Sequence, residues 1–209
     1  MPEQLVRALF PLLILFALQQ LGSAGLIHAK ALMAPQLVER AWSQTLSHGG
    51  EPVRPWPWAD TWPVARLGFP EGGIDQLVLA GDTGNALAFG PGYSQASVPP
   101  GQSGETVISG HRDTHFAFLA RVQLGDALLM QLPAGDVRSY RVSSIEVIDS
   151  SRERLVRNTD REQLRLVTCY PFDTLMPGGP LRYVVTAVPM PETAALPLIA
   201  GGRKGRLNL

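Results

Sequence analysis

The chain is poor in cysteine and lysine: among 209 residues only Cys169, Lys30 and Lys204 represent the two types. A single cysteine excludes an internal disulfide and any multi-cysteine zinc site. The other sixteen basic residues are arginines, and neither lysine falls inside the region that reads as a folded domain. A membrane Ser–Lys peptidase therefore has no catalytic lysine. Charge is also scarce, at 17% of residues against roughly 25% in an average globular chain. Lys+Arg and Asp+Glu both total 18, so no net charge draws the chain toward nucleic acid or an acidic substrate. The abundant residue types point elsewhere. Apolar residues reach 45%, which excludes a disordered chain, and Gly 21 with Pro 18 favours short strands and turns over helices.

The composition divides the chain into four regions. Residues 1–30 contain a run without charge from Ala8 to Ile27, 20 residues long. At about 1.5 Å per residue it would span roughly 30 Å, the thickness of a bilayer core. Its strongly apolar part is Ala8 to Leu18, and Ala29-Lys30-Ala31 resembles a cleavage site. A retained transmembrane anchor and a cleaved signal thus both stay open, and both predict export of the remaining chain. Residues 31–60 read as a stalk: helical spacing of Leu37, Val38, Ala41 and Trp42, with Pro35 in the first turn, then a Pro/Trp-rich linker. Trp56, Trp58 and Trp62 are expected to pack on the outside of the domain. Residues 61–190 break into eight β-rich runs with turn punctuation, WPVARLGF, DQLVLAGD, NALAFGPG, ETVISGH, DALLMQLPAG, VRSYRVSSIEVI, LRLVTCY and LRYVVTAV. That spacing predicts an all-β closed barrel or sandwich. Asp113 to Val122 is expected to form a short helix capped by Asp113. Residues 191–209 read as a flexible basic tail. Residues 31–190 hold 13 basic and 16 acidic residues, which argues against nucleic-acid binding.

Cys169 ends the strand LRLVTC, where side chains reach a rim. Arg182 begins the next strand after an 11-residue loop, YPFDTLMPGGP. Consecutive strands so joined are usually antiparallel neighbours, so Cys169 and Arg182 are expected at one rim, with Arg182, Val184 and Thr186 sharing a face. His111 ends the run ETVISG in SGHRDTHF. A thiol, an imidazole and a guanidinium at one rim would serve acyl transfer as nucleophile, proton carrier and oxyanion donor. Thr168, next to the thiol, is a candidate substrate contact. His115 lies four residues after His111, a ligand-pair spacing, but it falls in the expected helix while His111 belongs to a strand end. Arg112 is expected to form a local salt bridge or face water. Scattered acids offer no calcium loop, and neither a metal nor a cofactor is implied.

The stretch LVTCYPF resembles a sortase, with His111 58 residues upstream and Arg182 13 residues downstream in LRYVV. The family hallmark T-L-x-T-C is met by Arg165-Leu166-Val167-Thr168-Cys169, with Arg165 in place of the first Thr. RPWPWADTWPVARL and LAFGPGY resemble the class GN sortases of Gram-negative bacteria. The resemblance implies an eight-stranded sortase-type β-barrel with one or two short helices and an N-terminal transmembrane helix. It further implies a membrane-anchored cysteine transpeptidase, its catalytic domain on the extracytoplasmic side. Cys169 would attack the Thr–Gly carbonyl of an LPxTG-like sorting signal on a substrate protein. His111 would protonate the leaving amine, Arg182 would steady the oxyanion, and an amine-bearing acceptor would resolve the thioester. The competing reading is a non-catalytic, membrane-tethered β-barrel that binds a partner and merely buries its cysteine. Papain-like enzymes place Cys before His on a helix N-terminus, the reverse of the order here.

Overall fold

The computed structural model describes residues 2–154, 160–174 and 178–191, without the side chains of residues 2–9 and 23–31. It divides into two compact units, Met1–Leu37 and Val38–Leu209. A helix α1 (Pro2–Ser47) contains both Pro11 and Pro35 within it. The chain thus does not start a new helix near Pro35, as its spacing predicted. Phe10, Leu12, Leu13, Ile14, Leu15, Phe16, Leu18 and Leu21 are all exposed on it. Part of the apolar run Ala8 to Ile27 lies outside the described side chains. Among the described residues no helix is long and apolar enough to cross a membrane.

The second unit is a closed barrel of eight strands: β1 (Pro63–Phe69), β2 (Ile74–Ala80), β3 (Gly92–Tyr93), β4 (Glu105–Ser109), β5 (Ala127–Gln131), β6 (Val137–Asp149), β7 (Gln163–Cys169) and β8 (Leu181–Pro189). Around the barrel the order is β1-β2-β3-β4-β7-β8-β6-β5. Closure removes the unpaired edges that so many short strands would otherwise expose. On β1, buried and half-buried residues alternate at every step, the period-two signature of a strand with one face on a core. That core is lined by Leu67, Ile108, Phe116, Leu128, Met130, Leu166 and Val185, all fully buried. Truncating any one of them to Ala is expected to cost about 2–5 kcal/mol.

Two expectations need correction. The run NALAFGPG is not a strand. Gly84–Leu87 forms a short helix α2, and the third strand is only Gly92–Tyr93. Ala86 belongs to a side cluster with Val38 and Leu79, and a single helical turn is what presents that small residue to it. Asp113 to Val122 likewise forms turns and a 3-10 segment at Ala117–Arg121 rather than an α-helix. Phe116, not Asp113, precedes that segment, and no side chain caps it. Burial of Phe116, Phe118, Leu119 and Val122 in the barrel core fixes this segment in place of regular helical bonding. Beyond the linker, Trp56 stacks edge-on against Phe89 at 5.5 Å, whereas Trp58 is 81% exposed. The tail from residue 192 lies outside the described residues.

Candidate active site

Strand β7 has β4 on one side, running parallel, and β8 on the other, running antiparallel. The last pair of the β7–β8 ladder is Cys169 with Arg182, so both leave the sheet at one rim and on one face. The β4–β7 ladder ends at Ser109 opposite Val167. Two residues further on, that register sets His111 level with Cys169. The structure therefore brings all three residues to one rim. His111 is exposed, and Cys169 and Arg182 are half-buried. The thiol is neither sealed in the core nor on an open surface. Arg182 Nη1 donates to the carbonyls of Gly179 at 2.7 Å and Leu181 at 2.9 Å, which holds the guanidinium at the mouth of the β7–β8 loop.

The face carrying Cys169 and Arg182 is outside the barrel core. A small apolar cluster of Val107, Val167, Val184 and Ile148 forms its floor. Further along that floor Arg165 and Glu105 make a 3.5 Å ion pair, each side chain only 1% exposed. Arg165, which departs from the expected Thr, is thus accommodated by an acid on the neighbouring strand. On the opposite face, at the barrel mouth, Tyr170, Phe172 and Tyr183 form an aromatic group. Tyr170 stacks on Tyr183 at 6.1 Å, and Phe172 meets Tyr183 edge-on at 5.1 Å. Burial, and then the neighbouring Tyr170, raise the Tyr183 phenol above its ordinary value.

Thr168, the candidate substrate contact, is held within the seam between β4 and β7. Alternation turns its side chain away from the Cys169 face, it is 2% exposed, and its Oγ1 donates to the Gly110 carbonyl at 2.7 Å. The Gly110 N–H in turn donates to the Val167 carbonyl at 3.1 Å. Gly110 is thereby fastened to β7 through both of its backbone groups, directly before His111. Glycine suits the position, because a Cβ there would lie 2.7 Å from the buried Phe116 ring and something would have to shift. Arg112 is half-buried and reaches across to the segment after Cys169. Its Nη1 donates to the Pro171 carbonyl at 2.9 Å and its Nη2 to the Thr174 carbonyl at 2.8 Å. Its position in SGHRD, flanking the histidine, was the available signal. His115 is half-buried. Burial first, and the charge of His111 second, push its imidazole below the ordinary value. Among the described residues no group of three His, Cys, Asp or Glu side chains could hold a metal ion.

A closed eight-stranded barrel with a Cys, His and Arg at one rim defines a class of cysteine-bearing β-barrels. The Sortase domain family profile matches residues 67–190. Sortase D of Bacillus subtilis (strain 168) is 29% identical over 120 residues, which are 57% of this chain and 60% of that protein. The chain thus spans 60% of the length of this curated relative. A Clostridium perfringens Sortase D5 transpeptidase superposes with a TM-score of 0.61 at 19% identity, covering 78% of this chain and 99% of that one. Sortase A from Corynebacterium diphtheriae gives 0.57 at 21% identity, covering 77% and 85%. The chain belongs to the sortase family.

Proposed function

We propose that this protein is a membrane-anchored cysteine transpeptidase that cleaves an LPxTG-like sorting signal between Thr and Gly. The observation that supports this best is the Cys169–Arg182 pair at the end of the β7–β8 ladder, with His111 level with the thiol. In this reading the Cys169 thiolate attacks the Thr carbonyl carbon, and the Arg182 guanidinium donates to the oxyanion. The C–N bond breaks, His111 gives its proton to the departing Gly amine, and a thioester remains. An acceptor amine then attacks the thioester. His111 takes a proton from that amine, the C–S bond breaks, and the thiolate returns as a new amide forms. Water in the acceptor position gives hydrolysis instead.

The anchoring part of the proposal rests on the uncharged run Ala8 to Ile27 and on the exposed apolar side chains between Phe10 and Leu21 of α1. Only the full uncharged run of 20 residues has the roughly 30 Å length of a bilayer core. In this reading the catalytic domain works on the extracytoplasmic side of the membrane. The class GN reading rests on RPWPWADTWPVARL and LAFGPGY alone, since the Bacillus, Clostridium and Corynebacterium relatives are class D and class A sortases.

The test is intact-mass spectrometry of the full chain in detergent, incubated with an LPxTG-containing peptide. The expected result is an adduct equal to the peptide cut after Thr, discharged by hydroxylamine and absent in Cys169→Ala. An alkylation-resistant thiol with no adduct would support the binding module instead. A reactive thiol with no adduct would place the error in the sorting motif.

A further inference from the structure

We infer that Arg112 is a positioning residue that holds His111 and Cys169 in working register; this rests on the transpeptidase reading of the same site. His111 is bracketed in sequence by Gly110 and Arg112, and Cys169 by Thr168 and Tyr170-Pro171. On one side Thr168 Oγ1 and the Val167 carbonyl bind Gly110. On the other, the Arg112 guanidinium spans to the carbonyls of Pro171 and Thr174. The two segments are thus tied both before and after the reacting pair, across 58 residues of sequence on one side and 59 to 62 on the other.

The ladder hydrogen bonds cannot supply the second tie. The β4–β7 pairing ends at Ser109 and Val167. Past that point the segment carrying His111 leaves β7 after the backbone bond from the Gly110 N–H to the Val167 carbonyl. Strand β7 itself continues beside β8 to Cys169, so the tie beyond His111 is the Arg112 side chain. Residues beyond a strand end otherwise open easily. Arginine suits the task because its planar fork carries two donors at fixed separation, here used on two different carbonyls. A lysine ammonium keeps the charge but not that geometry. The tie also holds the segment from Pro171 to Thr174, which directly follows Cys169 and Tyr170 in the chain.

The experiment follows alkylation of Cys169 by iodoacetamide in the full chain, by intact mass, from pH 5 to 9. Cys169 is the only cysteine, so the mass shift reports one thiol. His111→Ala is expected to slow alkylation at pH 7 about tenfold and to change the shape of the pH profile, since thiolate is the reactive form. Arg112→Gln and the milder Arg112→Lys are expected to reproduce both changes, with a folded circular dichroism spectrum. Added to His111→Ala, Arg112→Lys should change the rate less than about twofold, because it acts through His111. A wild-type rate and profile in Arg112→Lys, or effects that multiply in the double variant, would overturn the inference while leaving the Cys–His reading intact. A profile unaffected by His111→Ala would sink that reading and this one together.

Discussion

Thr168 and Gly110 are joined by a 2.7 Å hydrogen bond from the Thr168 hydroxyl to the Gly110 carbonyl, within the buried seam between β4 and β7. The residue before the thiol therefore supports the residue before the imidazole. Thr168→Val keeps the shape and deletes the donor, leaving a buried carbonyl without that bond. A loss of about 1–3 kcal/mol in urea unfolding is expected, with Thr168→Ser recovering most of it. Equal stability of Thr168→Val and the parent protein would show that the hydroxyl is dispensable.

Gly110→Ala places a methyl 2.7 Å from the Phe116 ring, and that ring is fully buried in the core. Overpacking of this kind costs about 1–3 kcal/mol. Either Phe116 moves or the chain leading to His111 does. The expected outcome is a lowered unfolding midpoint together with slower Cys169 alkylation at neutral pH. A variant destabilised without any change in thiol reactivity would show that Phe116 alone had yielded.

The buried pair Arg165–Glu105 lies on the site's floor rather than among the reacting groups. Removing one partner of a buried ion pair typically costs about 3–5 kcal/mol, while replacing both by apolar groups of similar volume is often close to neutral. Arg165→Met and Glu105→Leu should each lower the urea midpoint markedly, and the double variant should recover much of the loss. Additive single effects would mean the two side chains do not act as a unit.

These residues also mark how far the sequence alone could lead. Short β-rich runs bounded by turn residues located seven of the strands. The run NALAFGPG misled because its apolar content serves Ala86 on a helical turn, and a two-residue strand such as Gly92–Tyr93 has no pattern to detect. The Cys169–Arg182 pairing was legible because a short loop forces neighbouring antiparallel strands. The approach of His111 was not legible from local pattern, since it comes from a parallel pairing of β4 with β7 that skips over β5 and β6. Its place at a strand end was the only local sign that it could reach the rim. The hydrogen bonds of Arg112 and Thr168 were not legible for the same reason: these partners lie 58 to 62 residues away.

Arg182 is half-buried, and its strand partners Cys169 and Ile148 hold its backbone. Arg182→Lys should therefore leave the fold intact while losing the forked donor geometry. Removal of one oxyanion donor typically costs about 10²–10³ in rate, and acyl-adduct formation is expected to fall by that order. Alkylation of Cys169 by a small reagent, which builds no oxyanion, should fall far less. Full adduct formation in Arg182→Lys would remove the oxyanion role from this residue.

His115 gives a pH dependence with a definite sign. Its imidazole titrates below the ordinary 6.5 in the folded protein, through burial first and the charge of His111 second. The unfolded chain thus binds the proton more readily than the folded one. The contribution of His115 to stability is present above about pH 6.5 and is lost as pH falls through the lowered folded value. The difference in Tm between the parent and His115→Asn should shrink as pH is taken from 7.5 to 5. In a His111→Ala background, which removes the second cause, that narrowing should be smaller. A Tm difference that stays constant or widens toward acid would mean that His115 is not held neutral by the fold.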